Sequence, residues 1–280
     1  MKKSVSNLSS RLNGTSGIQG VRKSLVCLIL FILSVVFPSQ ALSENVRLVG
    51  NKVETFINDR GQASRLTDLV SAALGEMPHT ITATTQAWSG SGLRNGQFDG
   101  YIDHYSLNQP KQNYVYSEPY VQVQLHVAST YADAKEISRL DQLYRERVGL
   151  ETRFANTDLV RSERSVNWAR TQDFFGNIEQ LAEQRVDYIM ADKIMLEEMN
   201  KLLISIDQEP LYISEQAIYI VDISLGMRSA FAEANSVIKA FNEGINKLKT
   251  DNEFNEIYIP DASAESTLDD ALYQGILKRW

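Results

Sequence analysis

The chain has 280 residues, of which 43% are hydrophobic and 22% charged, with no long run of one sign. That is enough for one large or two modest cores and excludes a disordered or fibrous chain. A formal net charge of −7 argues against nucleic acid and anionic membrane surfaces as partners.

At the N-terminus Arg22 and Lys23 precede an apolar run from Leu25 to Phe37, broken by Pro38 and followed by Ala41-Leu42-Ser43. A basic end, a short apolar core and small residues at the first and third places of that triplet describe a secretory signal cleaved near Ser43. The apolar run is too short for a membrane anchor, which needs roughly 20 residues. The one cysteine, Cys27, lies inside this segment behind Leu25-Val26, which does not suit a lipid-modified cysteine. The remaining chain carries no thiol, as suits an oxidising compartment. Segment 1–43 holds five basic and no acidic residues, so the rest sets 23 basic residues against 35 acidic ones, a net charge of about −12.

Val46 to Gly50 reads as a first strand, and Asn58-Asp59-Arg60-Gly61 as a turn. Leu66, Leu69, Val70, Ala73 and Leu74 recur at helical spacing, with Gly75 as a stop, and Thr80 to Thr84 has strand character. Strand, helix, strand opens an α/β unit. Ser89-Gly90-Ser91-Gly92 reads as a loop leading into a helix that ends near Asn95. Leu93-Arg94-Asn95-Gly96-Gln97-Phe98-Asp99-Gly100-Tyr101-Ile102 has a downstream partner, Leu181-Ala182-Glu183-Gln184-Arg185-Val186-Asp187-Tyr188-Ile189-Met190. Leu, a hydrophobic residue and Asp stand at identical offsets in both. Either these are two ordinary helix-to-strand joints, or the chain has two similar lobes with one joint each, the reading we favour.

The alternating run Val121 to Val127 reads as a strand leaving the first lobe, and Arg147 to Leu150 as the first strand of the second. Ala217 to Val221 is placed to return the chain. Val237, Ile238, Phe241, Ile245 and Leu248 then share one face of a long helix ending near Lys249-Thr250-Asp251-Asn252. After Pro260 an acidic, small-residue tail leads to Leu272–Trp280, read as a loosely held helix. The expected organisation is a signal peptide over 1–43, lobe 1 over 44–127, lobe 2 over 128–215 and a return to lobe 1 over 216–280.

Catalytic and metal signatures are not found. The sequence has no Gly-rich phosphate loop and no His-Glu-x-x-His helix, and Ser89-Gly90-Ser91-Gly92 lacks the spacing of a nucleophile elbow. His79, His104 and His126 are too widely separated for metal-ligand spacing. The chain is expected to be no enzyme and to use no cofactor or metal.

An ordered series of short pieces resembles the family-3 extracellular solute-binding proteins. It runs from the first strand with Phe56 after it, through the turn at Gly61, Trp88, Leu93-x-x-Gly96-x-x-Asp99, Tyr116-Ser117-Glu118-Pro119-Tyr120 and Leu140 to Gly149. Arg185-Val186-Asp187 leading to Asp192, Phe241-Asn242, Leu248-Lys249 and Ile257-Tyr258 complete it. The resemblance implies an α/β type II periplasmic binding fold, two lobes each with a central mixed sheet flanked by helices, joined by two crossover strands. It implies a periplasmic monomer that captures a small polar solute between the lobes for the permease of an ABC importer, or presents it to a membrane sensor.

By the same resemblance Phe56 stacks on the ligand or serves as a core or hinge aromatic, and Trp88 is a further ligand-binding candidate. Asp103 and Ser106, after the strand Gly100 to Ile102, offer polar contacts. Asp192 holds a ligand ammonium or caps the following helix, and Asn156 and Thr157 face a ligand carboxylate. One departure stands out. Where amino-acid binders of the family carry a carboxylate-binding arginine, this chain has Pro110, with Lys111 beside it. Asp103, Glu118 and Asp192 together would suit a cationic ligand.

Overall fold

The structure, a computed structural model, describes residues 45–59, 61–155, 157–259, 261 and 263–280. The expected signal segment, Cys27 and Asn156 lie outside the described residues.

The described residues form ten strands: β1 (Val46–Asn51), β2 (His79–Thr84), β3 (Gly100–Tyr105), β4 (Tyr114–Tyr116), β5 (Val121–Ser129), β6 (Arg147–Glu151), β7 (Asn167–Thr171), β8 (Tyr188–Asp192), β9 (Tyr212–Ile213) and β10 (Tyr219–Arg228). The described helices are α1 (Arg65–Leu74), α2 (Gln86–Arg94), α3 (Thr152–Ala155), α4 (Asp158–Ser162), α5 (Phe174–Ala182), α6 (Lys193–Ser205), α7 (Ala234–Thr250), α8 (Glu253–Tyr258) and α9 (Asp270–Leu277), besides short 3-10 turns.

The strands form one sheet in the order β2-β1-β3-β10-β5-β8-β6-β7, with β4 on β10 and β9 on β5. Its two ends are parallel: β1 pairs with β2 and β3, and β6 with β7 and β8. The middle is antiparallel, because β10 runs against β3 and β5, and β5 runs against β8. Strands β5 and β10 therefore carry the chain from one lobe to the other and back. β5 spans the junction, with Val121–Leu125 beside β10 and Leu125–Ala128 beside β8. In a mixed sheet of this kind, the carboxyl ends of the parallel strands gather where the strand order reverses, which is where ligands collect.

Sequence patterning accounts for most of these elements. In α1 the apolar stripe Leu66, Leu69, Val70, Ala73 and Leu74 is buried, and in α7 so are Val237, Phe241, Ile245 and Leu248. These two helices press together at Gly244, where a Cβ would stand 2.0 Å from the carbonyl oxygen of Ala73.

The repeated joints prove alike in atomic detail. In the first, Gln97 N and Phe98 N both donate to Gly92 O; in the second, Arg185 N and Val186 N both donate to Gln180 O. Gly96 (φ 73°) and Gln184 (φ 56°) hold the same left-handed place. Each joint then ends in an aspartate gripped by an arginine at the start of the neighbouring strand, Arg47 in β1 and Arg147 in β6. Arg47 gives Nε (2.9 Å) and Nη2 (2.6 Å) to Asp99, and Arg147 gives Nε (2.9 Å) and Nη2 (2.7 Å) to Asp187. The backbone N–H of Asp99 and of Asp187 returns a bond to the carbonyl of the same arginine. These aspartates are structural clasps.

Two expectations are corrected. Ser89-Gly90-Ser91-Gly92 is no loop but lies within α2. The Ser89 hydroxyl donates to Asn51 Oδ1 at 2.7 Å, and Gly92 leaves room for the Phe98 ring, which a Cβ would meet at 2.4 Å. The tail is not loosely held either. Tyr273 of α9 is fully buried, its ring 5.3 Å from that of Phe175 in α5 and its hydroxyl donating to Glu54 Oε2 at 2.8 Å. Ser266 and Thr267 bond to Glu198 of α6. This last stretch packs on α5 and α6 and reaches back to Glu54 after β1.

Candidate functional site

Strands β1 and β3 of the first lobe and β6 and β8 of the second all point their carboxyl ends at the junction. Each brings a polar residue there: Asn51, Asp103, Glu151 and Asp192. Asp103 is 5% exposed and receives Asn51 N (3.1 Å) and Asn51 Nδ2 (2.7 Å) on Oδ2. Its other oxygen, Oδ1, is buried without a partner. Burial pushes the Asp103 carboxyl above its ordinary range, against the opposing pull of Asn51 and Arg153.

Asp192 is 2% exposed and doubles as the N-cap of α6, with Oδ1 accepting from Ile194 N at 2.8 Å. Its Oδ2 is likewise buried without a partner. Burial outweighs the attraction of Arg153 and lifts its pKa to about 6.

Arg153 bridges the lobes. Its Nε and Nη2 each donate to Glu151 at 2.9 Å, a bidentate pair, and its Nη1 donates to the Tyr105 hydroxyl at 3.0 Å. The guanidinium also lies 4.3 Å from the Phe154 ring centroid and 5.8 Å from that of Tyr105. Burial disfavours its charge, but Glu151 and Tyr105 more than compensate, and the arginine stays protonated. Further contacts tie the lobes nearby: Thr55 Oγ1 donates to Met195 Sδ at 3.3 Å, and Arg65 pairs with Glu198 at 3.5 Å. Three carboxylates, Asp103, Glu151 and Asp192, thus face one guanidinium in a largely desolvated junction.

A cavity of about 610 Å³ meets the cluster at Asp192. The start of β5, the start of α6 and the α7–α8 turn enclose it, and Asp192, Gln122, Gln124, Phe254 and Tyr258 are among its walls. Lys193 on its rim pairs with Glu197 at 3.7 Å, and Lys249 lies 5.3 Å above the Phe254 ring.

The structure brings Phe56, Asp103 and Asp192 to this region. Phe56 is 2% exposed and packs on Tyr258 with ring centroids 6.2 Å apart. The remaining candidates lie elsewhere or are spent on the fold. Ser106 extends the β3–β10 ladder through two bonds with Asp222, and buried Thr157 caps α4 by accepting from Val160 N at 3.4 Å. Glu118 is exposed, its backbone N–H donating to Asn242. Trp88 stands 67% exposed on α2. Lys111, beside Pro110, is 5.7 Å from the Tyr101 ring and 5.5 Å from the Tyr114 ring, in an aromatic cluster apart from the junction. Among the described residues, no group of three or more His, Cys, Asp or Glu side chains could hold a metal ion. No described helix is long and apolar enough to cross a membrane.

Sequence reading passed over Glu151 and Arg153, and it met Tyr105 and Tyr258 only as members of longer stretches. A signal existed for the first two: Glu151-Thr152-Arg153 sets an acid and a base directly behind the apolar strand Val148-Gly149-Leu150, where the next residues are the ones a lobe presents at its sheet edge.

No protein-family model matches the sequence, and no curated protein matches it. Solved structures do match. The ligand-binding core of GluR0 in complex with L-glutamate aligns with a TM-score of 0.62 at 13% identity, over 77% of this chain and 97% of its own. A P235GK mutant of ArgBP from T. maritima aligns with a TM-score of 0.59 at 15% identity, over 77% and 94%. The amino acid ABC transporter substrate-binding protein AbpA from Streptococcus pneumoniae, bound to L-arginine, gives 0.57 at 12%, over 83% and 95%. At these identities the likeness is one of architecture, and with the strand order above it establishes that the chain has the two-lobed type II periplasmic binding protein fold.

Proposed function

We propose that this protein is a solute-binding protein that closes its two lobes around a small polar ligand and delivers it to the permease of an ABC importer in the periplasm. The observation that carries this reading is the pair of buried, unpartnered carboxylate oxygens, Asp103 Oδ1 and Asp192 Oδ2, one from each lobe. A buried polar atom with no partner is costly and calls for a bound group or water, and of the buried unpartnered side-chain atoms these two are carboxylate oxygens at the strand ends of the two lobes. The solved structures of like fold include a protein bound to L-arginine and another to L-glutamate, in keeping with a small polar ligand here. In this reading Asp192, Asp103 and Phe56 are ligand contacts, and Arg153–Tyr105 holds the lobes in register.

A thermal-shift screen against amino acids, amines, organic acids and small sugars tests it, with small-angle scattering on every hit. A bound ligand at a hundredfold excess over its Kd adds about 2.7 kcal/mol of stability, and closure reduces the radius of gyration. If no solute class raises the melting temperature or compacts the protein, the reading fails. A second reading, presentation of the closed form to a membrane sensor, is favoured by Pro110 at the place of the family's carboxylate-binding arginine. Permease and ATPase genes beside this one support uptake; a receptor kinase gene there supports sensing.

A further inference from the structure

We propose that the ligand is a compact organic dication without a carboxylate, of the alkane-diamine class, with one ammonium group on Asp103 Oδ1 and the other on Asp192 Oδ2. This rests on the solute-binding reading above and narrows it to one ligand chemistry.

Charge balance comes first. Asp103, Glu151 and Asp192 set three negative charges against the one positive charge of Arg153, which acts electrostatically on both aspartates. Arg65 does not restore the balance, because it pairs with Glu198, which Lys201 also binds at 3.0 Å. Lys193 pairs with Glu197 and Lys249 lies over the Phe254 ring, so the four side chains Asp103, Glu151, Asp192 and Arg153 are by themselves two positive charges short of neutrality. The two charges are needed at two places, since each lobe presents its own unpartnered oxygen.

Other ways of satisfying the two oxygens fit less well. A proton on either would remove its charge but leave a buried O–H donor that needs an acceptor of its own. A metal ion lacks the necessary third ligand among the described residues. A ligand carboxylate would meet two carboxylates and find the nearby guanidinium occupied, with Arg153 bidentate to Glu151 and bonded to Tyr105. Ammonium groups supply donors and charge together. Beside Asp192 the cavity offers Phe254, Tyr258 and Ile194 as apolar cover for an alkane chain. Because the two oxygens belong to different lobes, a dication would also draw the lobes together.

Calorimetric titration of the purified protein with matched pairs tests this: cadaverine against lysine, agmatine against arginine, and both against butylamine. Each dication is expected to bind at least tenfold more tightly than its carboxylate-bearing partner and than the monoamine. Asp103→Asn should reduce cadaverine to the affinity of butylamine, and Asp192→Asn should weaken both; thermal melts check that the variants fold. The matched pairs on the unaltered protein decide the matter even if a variant does not fold. Lysine or arginine binding as tightly as its decarboxylated partner overturns the proposal. So does binding of an uncharged or anionic solute where no amine binds, although that result leaves the solute-binding reading standing. Failure of every solute class removes both.

Discussion

The Asp192→Asn substitution gives a sharp test of the junction's electrostatics in the unliganded protein. Asparagine caps a helix as well as aspartate does, so the bond from Ile194 N is retained and only the titrating charge is lost. In the folded protein burial lifts the Asp192 pKa from 3.8 to about 6. Between those values the folded state keeps a proton that the unfolded chain has released, so stability falls as pH rises through this window and is lower by a constant amount above it. At about 1.4 kcal/mol per pKa unit, the loss is about 3 kcal/mol at neutral pH. Wild type and variant should therefore be of similar stability near pH 4, with the variant gaining up to about 3 kcal/mol by pH 7, or about 6–12 °C in Tm for a domain of this size. Urea unfolding at half-unit steps from pH 4 to 8 measures the difference curve. Asp103 and Glu54, whose carboxyls are also raised by burial, are common to both proteins and largely cancel in the difference. A flat difference, or one in which wild type gains on the variant with rising pH, would refute the assignment of Asp192 as a charge kept at a cost in the unliganded protein.

Arg153→Met should destabilise the protein by about 3–5 kcal/mol, because it strands Glu151 buried and unpaired; adding Glu151→Gln should recover much of this in chemical denaturation. Gln184→Gly should raise stability by about 0.5–1 kcal/mol, since Gln184 sits at φ 56° where the matching joint already has glycine; calorimetry reads the gain, and a loss would show that the Gln184 side chain outweighs the strain. Gly244→Ala should cost about 1–3 kcal/mol or more, because its Cβ would strike the backbone of α1 at Ala73. Of the two clasps, Arg47→Ala should cost more than Arg147→Ala, because the side chain of Asp99 is 3% exposed and that of Asp187 22%; equal losses in urea melts would contradict this.

The parts of the fold legible in sequence are those set by local periodicity and turn chemistry. The stripes of α1 and α7 and the return strand announced themselves, although β10 runs on to Arg228, past the apolar run that marked it. The tail did not: its anchors, Tyr273 on Glu54 and Thr267 on Glu198, join residues more than 60 positions apart, and no local pattern encodes such a contact. Ser89-Gly90-Ser91-Gly92 misled for a related reason. Its helix-disfavouring residues are kept by tertiary contacts, Ser89 by Asn51 and Gly92 by Phe98, and tertiary packing overrides propensity. Asp103 and Asp192 drew attention in the sequence because each comes after an apolar stretch, Gly100 to Ile102 and Val186 to Ala191; in the structure both lie within the strands themselves, β3 and β8. Arg153 drew no such attention, because its role depends on Tyr105 of the opposite lobe.

The duplicated joints allow structural residues to be separated from chemical ones within a single chain. Arg47 and Arg147, Asp99 and Asp187, Gly96 and Gln184 occupy equivalent places and make equivalent bonds; agreement between lobes that share little else in sequence identifies what the βαβ frame itself requires. Four residues along each strand the correspondence stops. Asn51 ends β1 where Glu151 ends β6, and Asp103 in β3 matches Ala191 in β8, with the second-lobe carboxylate one place further on at Asp192. The frame would tolerate the same residues at both places, so it does not account for the divergence. What differs there is the surface each lobe shows the other, and a ligand held between two unlike surfaces needs two unlike half-sites. In the proposed solute-binding reading, the side chains at the strand ends, rather than the clasp aspartates of the repeat, are therefore the ones that would set specificity.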